Sequence, residues 1–423
     1  MSGPLAGYRV LSLEHYLAGN HGTWLMSMFG AEVIKVERPG HGDTLRGVGP
    51  FVESPAGRRS AGELRVMGNK SSIALDITTQ AGRDVLFELV AKSDVVWANQ
   101  KPSSLERLGI DFDSLRRHNP DIVYATLSGF GHGDVVDAGP LTNLRAFDII
   151  AQGLAGLQFR AGSSDGGPGY NGLALGDEVT STLTVLGVAL ALLRRERTGG
   201  GAQRVDVAMH DSMVFLNELA LGMLSVLGRT PPRGRSGTSA PYGAFPTADG
   251  WVNIAIGGDP VWRRFCTAIG QPDLISDARF ATSAGRVSHF DLVESVVKEW
   301  TTARTTDQVV ATLSPCEVPC GAVLDIPGVL ASDQVAARQM LSTIDDPIAG
   351  KVQVVGNPIK MNDLTDGHIA APHAAGADTE TILRDLLGKT AADVDALVQA
   401  GAVALPTDRT GEADAGAEQG PAS

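Results

Sequence analysis

Along the first 130 residues, short apolar runs alternate with stretches of helical spacing. Tyr8 to Leu13 predicts a strand, the stretch after Gly19 predicts a helix that ends at Gly30, and Glu32 to Glu37 predicts a second strand. The pattern then recurs, with a strand over Ser72 to Ile77, a helix over Gln80 to Lys92 and a strand over Asp94 to Trp97. Two short helices separate this from another strand, Ile122 to Ser128. Strands that alternate with helices imply an α/β fold whose mostly parallel sheet is covered on both faces. Such sheets take ligands beyond the carboxyl ends of their strands, where the strand order reverses. The loops His15 to Asn20, Arg38 to Arg46 and Asn99 to Lys101 lie at such ends.

Further along, Leu183 to Arg197 continues as a long apolar helix that turns basic at Arg194, Arg195 and Arg197, as a helix C-terminus prefers, and stops at Gly199 to Gly201. Arg229 to Gly237 is crowded with Pro, Gly and Arg and marks a linker or flap, so a smaller domain is expected to begin near there. Phe245 to Ile256 predicts a hairpin turning at Ala248 to Gly250, followed by helices after Asp259 and around Phe290 to Thr301. Pro319 to Leu330 is expected to lead back to the first domain. The large domain is therefore expected over residues 1–222 and 325–405 and the small one over 223–324. The small and polar tail 406–423 is expected to be disordered.

At 423 residues the chain is long enough for two cores, and 43% hydrophobic with 20% charged residues is ordinary for a folded protein. A formal net charge of -13 argues against nucleic-acid binding, which draws on cations that neutralise phosphates. Cys266, Cys316 and Cys320 are too few for a disulfide framework. Cys316 and Cys320 lack the further ligands a structural zinc needs, so no metal is expected and free thiols in the cytoplasm are the simpler reading. The longest mainly apolar run, Leu183 to Leu193, is too short to cross a bilayer, and no membrane association is expected.

Candidate chemistry centres on Gly172-Leu-Ala-Leu-Gly-Asp177-Glu178, which puts a carboxylate immediately before a long helix. Asp177 is either an N-cap or a nucleophile kept ionised by the helix N-terminus, and local sequence leaves both open. Arg38 and its glycine-rich loop are either a solvated turn or an anion site, and Lys70, Lys101, Arg107 and Arg145 either converge with Arg38 on phosphates or scatter over the surface. His15, beside Tyr16, is a packing histidine or a substrate contact. Neither a Walker loop nor a dinucleotide glycine fingerprint follows a strand.

Taken in order, the motifs resemble the class III CoA-transferase family, the formyl-CoA and carnitine-CoA transferase type. The matching text includes Gly30-Ala-Glu-Val-Ile-Lys-Val-Glu-Arg38-Pro-Gly, Asn69-Lys-Ser-Ser-Ile-Ala-Leu-Asp76, Leu105-Glu-Arg107-Leu-Gly, Asp148-Ile-Ile-Ala-Gln152 and Ala244-Phe-Pro-Thr-Ala-Asp249-Gly-Trp. The resemblance implies a Rossmann-like large domain built from both chain ends, a smaller α+β domain, and a homodimer of interlocked rings. It also implies that Asp177 is the nucleophile and that coenzyme A and acyl-CoA are substrates, with no tightly bound cofactor. Positions implied to contact CoA are Leu17, Ala18, Arg38, Leu75, Asp76, Asn99, Gln100, Lys101, Arg107, Arg145, Phe147 and Asp148. Among these, Leu75 is expected to pack on adenine, and Arg38, Arg107 and Arg145 to neutralise phosphates. His15 and Tyr16 remain candidate substrate contacts.

Two other activities fit the same fold. Related racemases and epimerases carry a His directly before the Asp that corresponds to Asp148, whereas this chain has Phe147, which cannot exchange a proton. A non-catalytic CoA-binding partner subunit would have no use for Asp177. Three departures bear on substrate. Leu17 stands where oxalate-using relatives have Gln, Gln100 and Lys101 replace Phe and Gly, and Gly234 to Ala240 lacks the long glycine run of their flap. A larger or more apolar acid than oxalate is expected.

Overall fold

The computed structural model describes all residues except 1, 2, 134, 138, 163–165, 363, 365–368 and 407–423. The tail expected to be disordered therefore lies, apart from Pro406, outside the described residues. Two compact units result: 1–145, 177–209 and 341–423 form the first, and 146–176 with 210–340 the second. This division differs from the expected boundaries. Residues 146–176, 210–222 and 325–340 group with the second unit, and the chain does not return to the first until residue 341.

Six parallel strands build the first unit: β1 (Arg9–Leu13), β2 (Glu32–Glu37), β3 (Lys70–Ala74), β4 (Val95–Ala98), β5 (Val123–Ser128) and β6 (Gln203–Ala208). Their spatial order is β3-β2-β1-β4-β5-β6. All four residues of β4 are fully buried, as expected of a strand with both faces covered. Helix α1 (Tyr16–Met28) lies so close to the sheet that a Cβ on Gly22 would come within 2.3 Å of the Trp97 indole. Helix α2 (Gln80–Ala91) buries Val85, Leu86, Leu89 and Val90 against Leu11, Ile34 and Ile73. Each such side chain contributes roughly 1.5–3 kcal/mol.

The outer strand β3 is closed from the far end of the chain. Asp378 Oδ2 accepts the Ser72 N–H at 2.8 Å, Thr379 Oγ1 accepts the Ala74 N–H at 3.0 Å, and the Asp76 N–H donates to the Ala402 carbonyl at 2.8 Å. These bonds satisfy strand-edge donors that would otherwise template further pairing.

Helix α3 (Asp148–Leu154) belongs to the second unit, and α4 (Leu175–Thr198) crosses the division between Gly176 and Asp177. With 24 residues, α4 is longer than the run Leu183 to Leu193 and is apolar enough to cross a membrane by length and composition alone, a test that core helices also pass. Within the first unit it buries Thr180, Ser181, Thr184, Val188 and Leu192, and a Cβ on Gly187 would meet Val205 of β6 at 2.6 Å. It thus serves as a packed helix of the sheet, with Leu186, Leu190 and Leu193 exposed on another face.

The second unit holds a three-stranded antiparallel sheet, β7 (Tyr242–Pro246), β8 (Trp251–Ala255) and β9 (Cys320–Ala322), with β8 central. Its core contains Val252, Ile254, Trp262, Phe265, Val293, Val297 and Trp300. Arg286 is fully buried there and donates to the carbonyls of Ala240 (3.0 Å) and Phe280 (2.8 Å) and to Asp259 (2.9 Å). Pro319 to Leu330, expected to lead out of this domain, instead supplies β9 and a short helix, Ile326–Leu330, to it.

Candidate active site

Strand order reverses between β1 and β4, so the loops after these strands flank the crevice where a parallel sheet takes its ligand. Asn99 joins them. Its Oδ1 accepts the His15 N–H at 2.9 Å and its Nδ2 donates to the His15 carbonyl at 2.8 Å. A Cβ on Gly19 would lie 2.8 Å from Glu14 Cβ and 3.0 Å from the Asn99 amide, so only glycine lets α1 start this close. Gln100 presents a buried side-chain oxygen with no hydrogen-bond partner among the described residues. Such an orphan acceptor at a crevice is a place for a ligand donor.

Within the first unit, the predicted residues divide by exposure. Arg38, Arg107 and Arg145 are exposed, and Lys101 is half-buried with Nζ 3.2 Å from the Asn143 carbonyl. Asp76 sits within the influence of Arg38, and its carboxyl is held below the usual carboxylate range chiefly by the Thr78 hydroxyl. Ala18 is buried, and Leu17 packs its side chain against the cluster of Trp24, Leu25 and Met28. Leu75 is 2% exposed within the main core, so its side chain presents no open face to an adenine ring.

Lys70, considered as a phosphate ligand, is buried instead. Its Nζ lies 2.7 Å from Glu14 Oε1 and 2.9 Å from the Asn20 carbonyl. Lys35, in the middle of β2, meets the same Glu14 oxygen at 3.2 Å and Asp43 Oδ2 at 2.7 Å. Burial opposes both ammonium charges. Lys35 ends above its ordinary value because Glu14, Asp43 and Glu37 all face it, whereas Lys70 drops to about 8 with Glu14 as its main counter-charge and Lys35 as a repelling neighbour. Burial would raise the Asp43 carboxyl, but Lys35, the Leu45 N–H and Asn20 outweigh it and hold the group at about 2. Burial also lowers His15, and it takes His21 to about 4 with help from Lys70 and Arg65. Sequence reading missed this ionic block; its one signal was a lysine inside the apolar run Val33-Ile-Lys-Val36.

Asp177 is not an N-cap. Helix α4 begins at Leu175, which puts Asp177 in the first turn beside Glu178, and the aspartate is half-buried. The helix N-terminus still favours its negative charge. Four residues on, and so on the same helix face, the Ser181 hydroxyl donates to the carbonyl of Ala18 in the first turn of α1. The first turns of α4 are thereby fixed against the first turn of α1, which follows the loop at the crevice.

In the second unit, Asp148 is 9% exposed at the start of α3. Its Oδ1 accepts the Gly176 N–H at 2.5 Å and its Oδ2 accepts from Gln152 Nε2 at 2.7 Å. Gln152 Nε2 also donates to the Leu173 carbonyl at 2.9 Å. The carboxylate that the family resemblance assigned to CoA is thus already engaged by backbone and side chain, and it braces the residues just before Asp177. Phe147 is 60% exposed.

Residues 5–379 match the model of CoA-transferase family III, and the chain belongs to that family. It is 36% identical over 368 residues to a succinyl-CoA:mesaconate CoA-transferase of Haloarcula marismortui, covering 85% of this chain and 91% of the relative. An acetyl-CoA:oxalate CoA-transferase of Acetobacter aceti is 34% identical over 369 residues, with 86% and 91% covered. Among solved structures, a CAIB/BAIF family protein from Brucella suis superposes with a TM-score of 0.77 at 31% identity, covering 91% of this chain and all of the other. The resemblance read from the ordered motifs is borne out, as are the mixed α/β fold with its large parallel sheet and the assignment to an enzyme family of CoA transfer.

Proposed function

We propose that this family III chain moves coenzyme A from an acyl-CoA thioester to a carboxylic acid by way of covalent intermediates on Asp177. The observation that carries the reading is the Ser181 hydroxyl on the Ala18 carbonyl, which supports a position for Asp177 facing the crevice at the β1–β4 reversal. An Asp177 oxygen attacks the thioester carbonyl, the carbon–sulfur bond breaks, and CoA leaves as its thiolate. The thiolate then attacks the Asp177 carbonyl of the resulting mixed anhydride and expels the donor acid as its carboxylate. An aspartyl-CoA thioester remains. The acceptor carboxylate attacks that thioester, and the released thiolate takes the acceptor acyl group, which regenerates Asp177. Each intermediate is about as activated as a thioester, so neither ATP nor a resident cofactor is required. Neighbouring backbone N–H groups stabilise each tetrahedral oxyanion, a contribution of roughly 3 kcal/mol per donor.

Arg38, Arg107, Arg145 and Lys101 neutralise the CoA phosphates, Asn99 and Gln100 line the crevice, and His15 and Tyr16 meet the acyl portion. His15, held below its ordinary value, is neutral at pH 7 and serves as a hydrogen-bond partner to the substrate. The acceptor is a carboxylic acid larger or more apolar than oxalate, and three free cysteines suit a cytoplasmic enzyme. The active form is a homodimer: exposed Leu186, Leu190 and Leu193 in the first unit, and Phe215, Leu219, Val226 and Leu227 in the second, are apolar surface that a second copy would cover.

Mass spectrometry after addition of acyl-CoA, with hydroxylamine trapping, tests the route. The wild-type chain should carry the trapped adduct on the peptide containing Asp177, and Asp177→Asn should lose the adduct and lower CoA transfer by ~10³-fold or more. Modification of any other residue, or turnover retained by Asp177→Asn, overturns the mechanism.

A further inference from the structure

The first turn of α1, just beyond β1, carries Leu17 and Ala18, and the loop after β2 carries Arg38. One buried carboxylate joins these two segments. Asp43 is 2% exposed. Its Oδ1 accepts the N–H groups of Leu45 at 2.8 Å and Tyr16 at 3.2 Å, and its Oδ2 accepts Lys35 Nζ at 2.7 Å and Asn20 Nδ2 at 2.7 Å. Its own N–H donates to Glu37 Oε1 at 2.8 Å. Both oxygens are thus filled by donors from three separate segments.

Two features of the β1–α1 turn show what this carboxylate holds. His15, the residue preceding α1, makes no side-chain capping bond, so the first free N–H of the helix, that of Tyr16, is met by Asp43 from the neighbouring loop. Tyr16 also sits at φ 56°, a left-handed conformation that a non-glycine residue keeps only when its surroundings impose it. Asn20, anchored on Asp43 Oδ2, donates as well to the Tyr16 carbonyl at 2.6 Å. Both ends of the strained residue are therefore tied to the same carboxylate, one directly and one through Asn20.

We propose that Asp43 is a positioning residue for the CoA site: it fixes the β1–α1 turn in its left-handed form and sets that turn against the Arg38 loop. This rests on the CoA-transferase reading. Asp43 acts through the backbone of Tyr16 and touches no substrate, so its loss should weaken CoA binding more than it slows the chemical steps.

The test uses the full chain, with free CoA as the calorimetric probe and steady-state transfer as the second readout. Asp43→Asn should raise the Kd for CoA and the KM for acyl-CoA by about tenfold, with kcat changed by no more than about threefold. Should that variant fail to fold, two substitutions at exposed Tyr16 decide the matter. Tyr16→Gly and Tyr16→Val both remove the ring, but glycine accepts a positive φ and valine resists it. The valine variant should bind CoA about tenfold more weakly than the glycine variant. Equal CoA affinity in the two Tyr16 variants, or wild-type affinity in folded Asp43→Asn, overturns the proposal. Wild-type protein that binds no CoA overturns this proposal together with the transferase reading. Transfer that survives Asp177→Asn while the Tyr16 variants differ as expected sinks the covalent route alone.

Discussion

Buried charge is handled in opposite ways by the two units. In the first, Glu14, Asp43, Lys35 and Lys70 have side chains at most 1% exposed, and each charge is met by another charge. In the second, Arg286 is as deeply buried but rests on two carbonyls and on Asp259, whose side chain is 38% exposed. Water reaches the counter-charge of Arg286 but not the members of the quartet. A buried ion pair seldom stabilises more than apolar packing would, while deleting one partner strands the other. The quartet therefore adds specificity of placement, and the arginine serves as a polar strut whose loss leaves a solvated carboxylate and two carbonyls.

Three measurements would break or sharpen that contrast. Glu14→Gln removes the carboxylate that Lys70 contacts and leaves Lys35 with Asp43 and Glu37, and denaturant unfolding should show a loss of about 3–5 kcal/mol. Arg286→Met keeps much of the volume and abandons three acceptors, so the loss should be nearer 2 kcal/mol, with hydrogen exchange rising in peptides of the second unit only. A larger loss for Arg286→Met than for Glu14→Gln would contradict the comparison. An effect of similar size concerns acid. Asp43 has a folded value of about 2, below its ordinary 3.8, so its stabilisation is present above pH ~4 and disappears as the pH falls through about 2. That amounts to roughly 2 kcal/mol, and exchange in the peptide spanning Asp43 should accelerate across this window while Asp43→Asn shows no such change.

How much of this was legible in the sequence depended on whether a segment's own pattern decided its structure. Strand β2 was read with its true limits, Glu32–Glu37, because a mainly apolar run, broken only by Lys35, lies between a helix-ending glycine and a turn. Strand β6, Gln-Arg-Val-Asp-Val-Ala, was missed, since its polar residues sit at the sheet's edge and mask the run. The sequence put the start of the long helix just after Asp177. The structure starts α4 at Leu175 because Asp148 takes the Gly176 N–H, and a Cβ there would lie 2.9 Å from Asp148 Oδ1. Lys70 read as a phosphate ligand or a surface cation because the carboxylate it needs, Glu14, lies 56 positions away in the chain. Long-range partners of this kind leave no local signature. Asp177 and Arg38 could be picked out because their motifs recur as text, even though the text did not reveal that Asp148 would be spent on backbone.

The closure of β3 by Asp378, Thr379 and Ala402 sets a timetable for biosynthesis. Strand β3 leaves the ribosome some 300 residues before the groups that seal it, so throughout translation the nascent sheet has an open flank. A chain halted before Asp378 keeps that flank open permanently, which makes premature termination a route to aggregates and makes the N-terminus the safer end for fusions that must not disturb folding.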